Sequence, residues 1–352
     1  MVARPFWIIG HNTNRLADVQ TAVGQGANAV EIDVHEDADG KWVVSHDAPR
    51  PDAPELAAFL RSVSETARLN PRLCLVTLDC KTYNPALAET LIDLARFNWA
   101  DLGGAFVRPF IISVPHRENA GFLDPIAGTL RDGEGLMIDE DDDVTKVAQR
   151  LGAAKNPCFG DGTTSLAPGP HVRPAIEHAT ALKAAGDGVK FTYSWTFVQL
   201  SSLSEQVEVG VDGIISDNIP GLVQLLNGRF ATTVRLATAA DDPFARNVPS
   251  YGLAVLTGPG GRPGEAVEIT ITGSVGTASK RIDASLSGRF DALSTTFVTI
   301  LGQEVGEPRT IAVSSTGSSW HLESIQLLGT NQRATFDAVV APGAAPVVRD
   351  LA

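Results

Sequence analysis

The chain has 352 residues, 43% of them hydrophobic and 20% charged, with a formal net charge of −13. That composition supports an ordinary buried core and is long enough for two domains, one of them barrel-sized. The acidic balance excludes a nucleic-acid partner and gives no attraction to anionic membranes, and no apolar run reaches the roughly 18–20 residues of a membrane span.

The first strand-type run, Phe6–Gly10, begins almost at residue 1, so no leader is visible. The chain is therefore expected to be either cytosolic or a mature form whose leader was removed. His11 and Asn12 follow that run, and an amphipathic stretch, Leu16–Gln25, leads to a second strand, Ala29–His35. Residues two apart in a strand share a face, so Glu31 and Asp33 present their carboxylates side by side. Two carboxylates on an apolar strand are costly unless a cation lies between them. A divalent metal meets that need, and all-oxygen ligation favours magnesium or calcium over zinc. Asp39-Gly40 reads as a turn, which makes Lys41–Ser45 a hairpin appendage ending at a second histidine, His46. Two histidines around a hard-metal site point to acid–base work on a phosphate ester.

Strand-type runs then alternate with amphipathic ones. The strands are expected at Leu73–Asp79, Phe106–Val114, Gly135–Asp139, Asn156–Gly160, Lys190–Trp195 and Asp212–Ser216, and helices over Glu55–Asn70, Ala86–Asn98 and Arg173–Ala185. With the first two, these make eight strands, the pattern of an α/β fold of the (β/α)8 TIM barrel type, whose catalytic groups lie at the strands' carboxyl ends. The acidic run Asp139–Asp143 reads as a solvated cap before a helix from Val144, His35 points away from Asp33, and His116 lies near the pocket rim. Arg131, His171 and His178 read as surface residues. Cys74, Cys80 and Cys158 lack metal spacing and allow at most one bridge.

After Phe244 the composition changes to short strand-type runs separated by Gly, Pro, Ser and Thr: Tyr251–Val255, Ala266–Ile271, Ile282–Leu286, Thr296–Ile300, Arg309–Ser314 and His321–Leu328. This pattern predicts a small all-β sandwich over residues 247–340 after a barrel over 1–246, with a loosely held tail from 341 to 352.

Gly10–Asn14 (GHNTN), Gly26–Val34 (GANAVEIDV) and Ser45–Asp47 (SHD) together resemble the glycerophosphodiester phosphodiesterase superfamily, in the branch of the sphingomyelinase D/phospholipase D toxins of spider venoms and corynebacteria. Leu236–Phe244, LATAADDPF, is similar to that branch's terminal ATxxDNPW motif, with Asp242 in place of Asn and Phe244 in place of Trp. The last hundred residues resemble PLAT domains, sandwiches found beside lipid-handling enzymes. The resemblance implies a secreted phosphodiesterase that uses Mg2+ (or Ca2+) to release the head group of a phospholipid or lysophospholipid, in the toxin branch by transfer to a substrate hydroxyl that gives a cyclic phosphate. It implies His11 and His46 as the acid–base pair, and Glu31, Asp33 and Asp79 as metal ligands. Lys81 would neutralise a phosphate oxygen, Trp195 would wall the pocket, and Asp217, or its neighbour Asn218, would make a substrate-side contact. Val198 stands where the toxins have an acid, which weakens the case for choline, and Asp47–Pro54 lacks the toxins' paired cysteines. A monomer is expected, with peripheral membrane contact through the sandwich. Two rival readings are a hydrolase of soluble glycerophosphodiesters and an inactive barrel whose sandwich binds lipid or protein.

Overall fold

A computed structural model describes residues 3–104, 107–165, 173–260, 262–286 and 288–352. Its barrel unit comprises Ala3–His171 and Gly188–Ala245. Its strands are β1 (Arg4–Gly10), β2 (Ala29–Glu36), β3 (Trp42–Val44), β4 (Leu75–Cys80), β5 (Phe110–Pro115), β6 (Glu134–Asp139), β7 (Pro157–Ser165), β8 (Phe191–Phe197), β9 (Gly213–Ser216) and β10 (Val234–Leu236). The helices of this unit are α1 (Leu16–Gln25), α2 (Leu56–Leu69), α3 (Ala88–Asn98), α4 (Asp124–Ala127) and α5 (Val144–Arg150), with two more after β8 and β9. The parallel order β1-β9-β8-β7-β6-β5-β4-β2 closes through pairing of β1 with β2, which makes a (β/α)8 barrel. β3 pairs antiparallel with the end of β2, Val34 opposite Val44, as the Asp39-Gly40 turn requires. The strand expected from Phe106 is observed from Phe110, and Phe106 lies outside the described residues.

Period-two alternation sets what the barrel encloses. Trp7, Ile9, Ala29, Leu75, Ile111, Met137, Phe191 and Ile215 form one interior cluster. Stepping by two toward the carboxyl ends from these positions gives His11, Glu31 and Asp33, Asp79, Asp139, Trp195 and Asp217. One inward face therefore runs from an apolar floor to a polar mouth. β10 pairs with the opening residues of β1, Val234 beside Arg4. Phe244 joins the interior cluster, its ring edge-on to Phe191 at 6.5 Å. Gly135 leaves room for that ring, since an added Cβ there would lie 2.8 Å from Phe244.

The sandwich unit comprises Val172–Asp187 and Arg246–Ala352. Thus α6 (Pro174–Ala185) belongs to this unit, while α7 (Leu200–Val209) and α8 (Ile219–Asn227) belong to the barrel. β11 (Ser250–Thr257), β14 (Thr295–Leu301), β16 (Trp320–Leu327) and β17 (Arg333–Val340) form one antiparallel sheet. β12 (Ala266–Gly273), β13 (Thr277–Asp283), β15 (Pro308–Thr316) and β18 (Val347–Asp350) form the other. Their inner faces bury Val267, Ile269 and Ile271 against Leu253, Ile300 and Leu322, the alternation of a two-sheet core. Glu177 of α6 pairs with Arg289 at 2.6 Å, and His178 stacks on Phe297 with centroids 3.7 Å apart. His178 is therefore a packing residue and not the surface residue expected. His171 lies outside the described residues.

Two further expectations fail in this unit. The strand expected at Ile282–Leu286 is instead β13, a hairpin partner of β12 with Thr272 opposite Thr277. Its Ser279, Lys280 and Arg281 hid an apolar alternation carried only by Ala278 and Ile282. The tail is not loose: β18 pairs with β15, and Leu351 N–H donates to the Arg309 carbonyl at 2.7 Å. All three cysteines are buried and no disulfide links them, and burial pushes the Cys74 thiol up to about 12.

Candidate active site

Asp33 of β2 and Asp79 of β4 are register partners. Glu31, Asp33 and Asp79 each offer an oxygen within 4.8 Å of the others. Asp33 is fully buried and Glu31 is 5% exposed, so the fold holds three acids together at low dielectric. Each is fixed by a neighbour. The Asn12 backbone N–H donates to Glu31 Oε2 at 2.5 Å, and Asn14 Nδ2 donates to Asp33 Oδ2 at 2.6 Å while its Oδ1 accepts from the Asp33 N–H. Lys81 Nζ lies 3.0 Å from Asp33 Oδ1 and 2.7 Å from Asp79 Oδ2.

The cluster thus carries three acids against one ammonium. Burial pushes the Glu31 carboxyl well above its ordinary range, and Asp33 and Asp79 push it further. Burial also raises Asp79, against the opposing pull of Lys81. Burial works to lower Lys81, yet its carboxylate neighbours raise it, so it stays charged. Surplus negative charge, oxygen-only donors and fixed carboxylate orientations fit a hard divalent cation. Glu31, Asp33 and Asp79 are the residues that would hold it.

The two histidines differ in support. His11 Nδ1 lies 2.9 Å from Asp217 Oδ1, a contact across the β1–β9 junction that leaves Nε2 for other chemistry. Asp217, with its pKa lowered by that bond, supports His11. The adjacent Asn218 caps α8 by accepting from Gly221 N–H. His46 lies just beyond β3, and Ser45 N–H donates to the Asp33 carbonyl at 3.1 Å, which ties the segment to the carboxylate strand. His46 is near enough to Asp79 to lower that carboxyl's pKa, but its Nδ1 contact at 3.0 Å is to its own exposed neighbour Asp47.

Asp139 departs from the solvated cap expected of the run Asp139–Asp143. It is buried, accepting from Tyr193 Oη at 2.5 Å and from Trp195 Nε1 at 2.9 Å. Burial raises its pKa to about 7 against those two bonds. Trp195 therefore stands at the mouth with its indole N–H committed to Asp139. Gly160 leaves room for the trio, since a Cβ there would meet Asp139 Oδ1 at 2.3 Å and the Tyr193 ring at 2.7 Å. Asp141 is also buried, paired with Arg117 at 2.5 Å. On the same rim, His116 and Glu140 both adopt left-handed backbone, φ 60° and 55°, and His116 Nδ1 meets the Glu140 carbonyl at 2.8 Å. His35 contacts Thr82 Oγ1 at 3.0 Å.

Sequence reasoning did not single out Asn14, Tyr193 or Asp139 for roles. The period-two step inward from Met137 and Phe191 was the available signal for the last two. For Asn14, the signal was its place in the GHNTN run.

Comparison with known proteins bears on this arrangement. The Sphingomyelinase D/Phospholipase D family model matches residues 1–96, and the Dermonecrotic toxin SPH model matches residues 130–244. Dermonecrotic toxin SpeSicTox-betaIIA3i of Sicarius peruensis is 27% identical over 282 residues, 69% of this chain and 100% of the toxin. SpaSicTox-betaIIA1 of Sicarius patagonicus matches at the same identity and coverage. Among solved structures, an Oleispira antarctica phosphodiesterase in complex with sn-glycerol-3-phosphate is 15% identical, covering 63% of this chain and 97% of its own, at a TM-score of 0.46. A glycerophosphodiester phosphodiesterase from Agrobacterium tumefaciens is 22% identical, covering 63% and 100%, at 0.43. A LOX solved in complex with arachidonate is 21% identical over 29% of this chain, which spans only 16% of the LOX chain, at 0.25. Through its barrel, the chain is similar to the sphingomyelinase D/phospholipase D family, to which the two family models and the toxin relatives point.

Proposed function

We propose that the protein is a magnesium-dependent phosphodiesterase that releases the head group of a phospholipid or lysophospholipid. The observation that carries this reading is the buried carboxylate trio at the mouth of a barrel similar to this family's, with one histidine braced by Asp217 and a second, His46, next to Ser45, whose N–H is bonded to the Asp33 carbonyl. A divalent cation held by the trio would supply Lewis-acid stabilisation of charge on the phosphate oxygens. Lys81, kept charged by Asp33 and Asp79, adds a fixed ammonium at the place where that charge develops. Asp217 orients His11, so its Nε2 can take or give a proton, and His46 serves the opposite side of the ester. One histidine assists the attacking hydroxyl while the other protonates the leaving oxygen. A hydroxyl within the substrate as attacker yields a cyclic phosphate, and water yields a hydrolysed one.

The sandwich, of PLAT-like character, would dock the enzyme on lipid surfaces, and secretion fits the reading. No described helix is long and apolar enough to cross a membrane. Phosphorus NMR of products from sphingomyelin, lysophosphatidylcholine and glycerophosphocholine tests the proposal. Turnover of either lipid, absent without magnesium, is expected. Turnover of glycerophosphocholine alone would favour the soluble-diester reading, and turnover of none would contradict both.

A further inference from the structure

The turn between β1 and α1 serves the carboxylate strand and not the helix it precedes. Arg15 holds the N-cap position of α1 and makes no side-chain cap, although Asn14, a residue type suited to capping, stands one place earlier. Asn14 instead turns its amide to Asp33, accepting from the Asp33 N–H at 2.9 Å and donating to Asp33 Oδ2 at 2.6 Å. The same amide donates to Asn12 Oδ1, and the Asn14 N–H donates to the Asn12 carbonyl at 2.9 Å. Asn12, in left-handed backbone at φ 50°, directs its own N–H to Glu31 Oε2. Between them Thr13 docks the turn on β2, its N–H and hydroxyl donating to the Glu31 carbonyl at 3.1 and 2.7 Å.

Each acid of the trio therefore has one oxygen engaged by an N–H donor. For Glu31 it is Oε2, for Asp33 Oδ2, and for Asp79 Oδ2, which accepts from Lys81 Nζ at 2.7 Å. Asp33 Oδ1, by contrast, is buried and accepts no well-directed hydrogen bond, although Lys81 Nζ lies 3.0 Å away. A carboxylate with one oxygen held and the other left over is arranged to give a cation one ligand atom. Calcium takes roughly six to eight oxygens and readily draws both from one carboxylate, whereas magnesium keeps a compact octahedron with several waters. We infer that the turn Asn12–Asn14 is a metal-selectivity bracket: by holding one oxygen of Glu31 and one of Asp33, it limits each acid to a single ligand oxygen and so favours magnesium over calcium. Asn14 is thus a positioning residue that acts through Asp33. This inference rests on the metal-dependent reading above.

The test is calorimetric titration of the chelator-treated full chain with MgCl2 and, separately, with CaCl2, which needs no turnover. The wild type is expected to bind Mg2+ more tightly than Ca2+. Asn14→Ala should weaken Mg2+ about 10-fold, the lower end for loss of a group that orients a metal ligand, and leave Ca2+ equal or tighter. Asn14→Asp keeps an acceptor for the Asp33 N–H but loses the donor to Oδ2, and should shift the ratio the same way even where the alanine variant fails to fold. Thr13→Val, which removes a bond to the Glu31 backbone and to neither carboxylate, should keep the wild-type ratio. A wild type that prefers Ca2+, equal weakening of both cations in the Asn14 variants, or the same shift in Thr13→Val would overturn the bracket. Absence of diester turnover with these ratios as expected would remove the phosphodiesterase reading alone, and a wild type that binds neither cation would overturn both.

Discussion

Two buried ion clusters among the described residues of the barrel unit are built on opposite plans. At the mouth, Glu31, Asp33 and Asp79 face one ammonium, Lys81. At the amino end of β6, Glu134 faces Arg96 through two bonds, 2.8 and 2.7 Å, and accepts a third from the Arg131 N–H at 2.9 Å. Arg96 also reaches the Thr129 carbonyl at 2.9 Å. The second cluster is closed, with charge balanced and every strong donor directed to an acceptor, so it serves the fold. The first is left open by the same accounting, and an excess of buried carboxylate is relieved either by a proton, as the raised Glu31 carboxyl shows, or by a further cation. Burial alone does not separate a structural ion pair from a functional site; the charge left over does.

Asp33→Asn should sharpen that contrast most. Turnover should fall at least about 1000-fold, matching the several kcal/mol a metal supplies to charge stabilisation. The metal-free protein should keep or gain stability, because one crowded carboxylate has gone. Glu134→Gln should do the reverse, costing about 3–5 kcal/mol in denaturant unfolding with turnover per folded molecule unchanged. Equal behaviour of the two variants would break the comparison.

Asp139 gives a pH test. Its folded pKa, about 7, lies above the ordinary 3.8, so the folded state favours the protonated form. Its contribution is fully present below about pH 4 and is lost as pH rises through about 7, up to about 4 kcal/mol. Asp139→Asn, which can still bond Tyr193 and Trp195, should flatten this part of the stability profile between pH 5 and 8. An unchanged slope would remove Asp139 as its source.

His11→Ala and His46→Ala should each lower turnover at least about 100-fold with the melting temperature kept. A near-normal rate in a folded variant would exclude that histidine. Their carboxylate partners should differ. Asp217→Asn, which weakens a brace from another strand, should cost about 10-fold. Asp47→Asn, an exposed neighbour, should cost less than about 3-fold, the range of surface pairs. Equal losses would show that both histidines are held alike.

Much of this site was legible because strand period and strand-end chemistry coincide in one short region. Glu31 and Asp33 alternate within β2, and His11 steps inward from Trp7 and Ile9. Helix α1 was readable over its full length, since its periodic face ends at Gly26 in left-handed backbone. What escaped depends on partners distant in sequence. Asp139 looked like the first of a solvated acidic run, because only closure of the barrel brings Tyr193 and Trp195 onto it. The loose tail was misread because a four-residue edge strand carries little pattern of its own and takes its register from β15. Asp217 and Asn218, which the sequence left as alternatives for a substrate-side contact, face different ways at the strand end, one toward His11 and the other capping α8.

The most direct test of the charge-imbalance account is thermal unfolding of chelator-treated protein titrated with Mg2+ near pH 7.5. The account predicts a melting temperature that climbs with the logarithm of magnesium concentration once the site fills, the linkage expected of a ligand that binds only the folded state. The climb should be absent in Asp33→Asn and retained in Glu134→Gln. A wild-type melting temperature indifferent to magnesium, calcium and manganese, or an equal climb in Asp33→Asn, would contradict it.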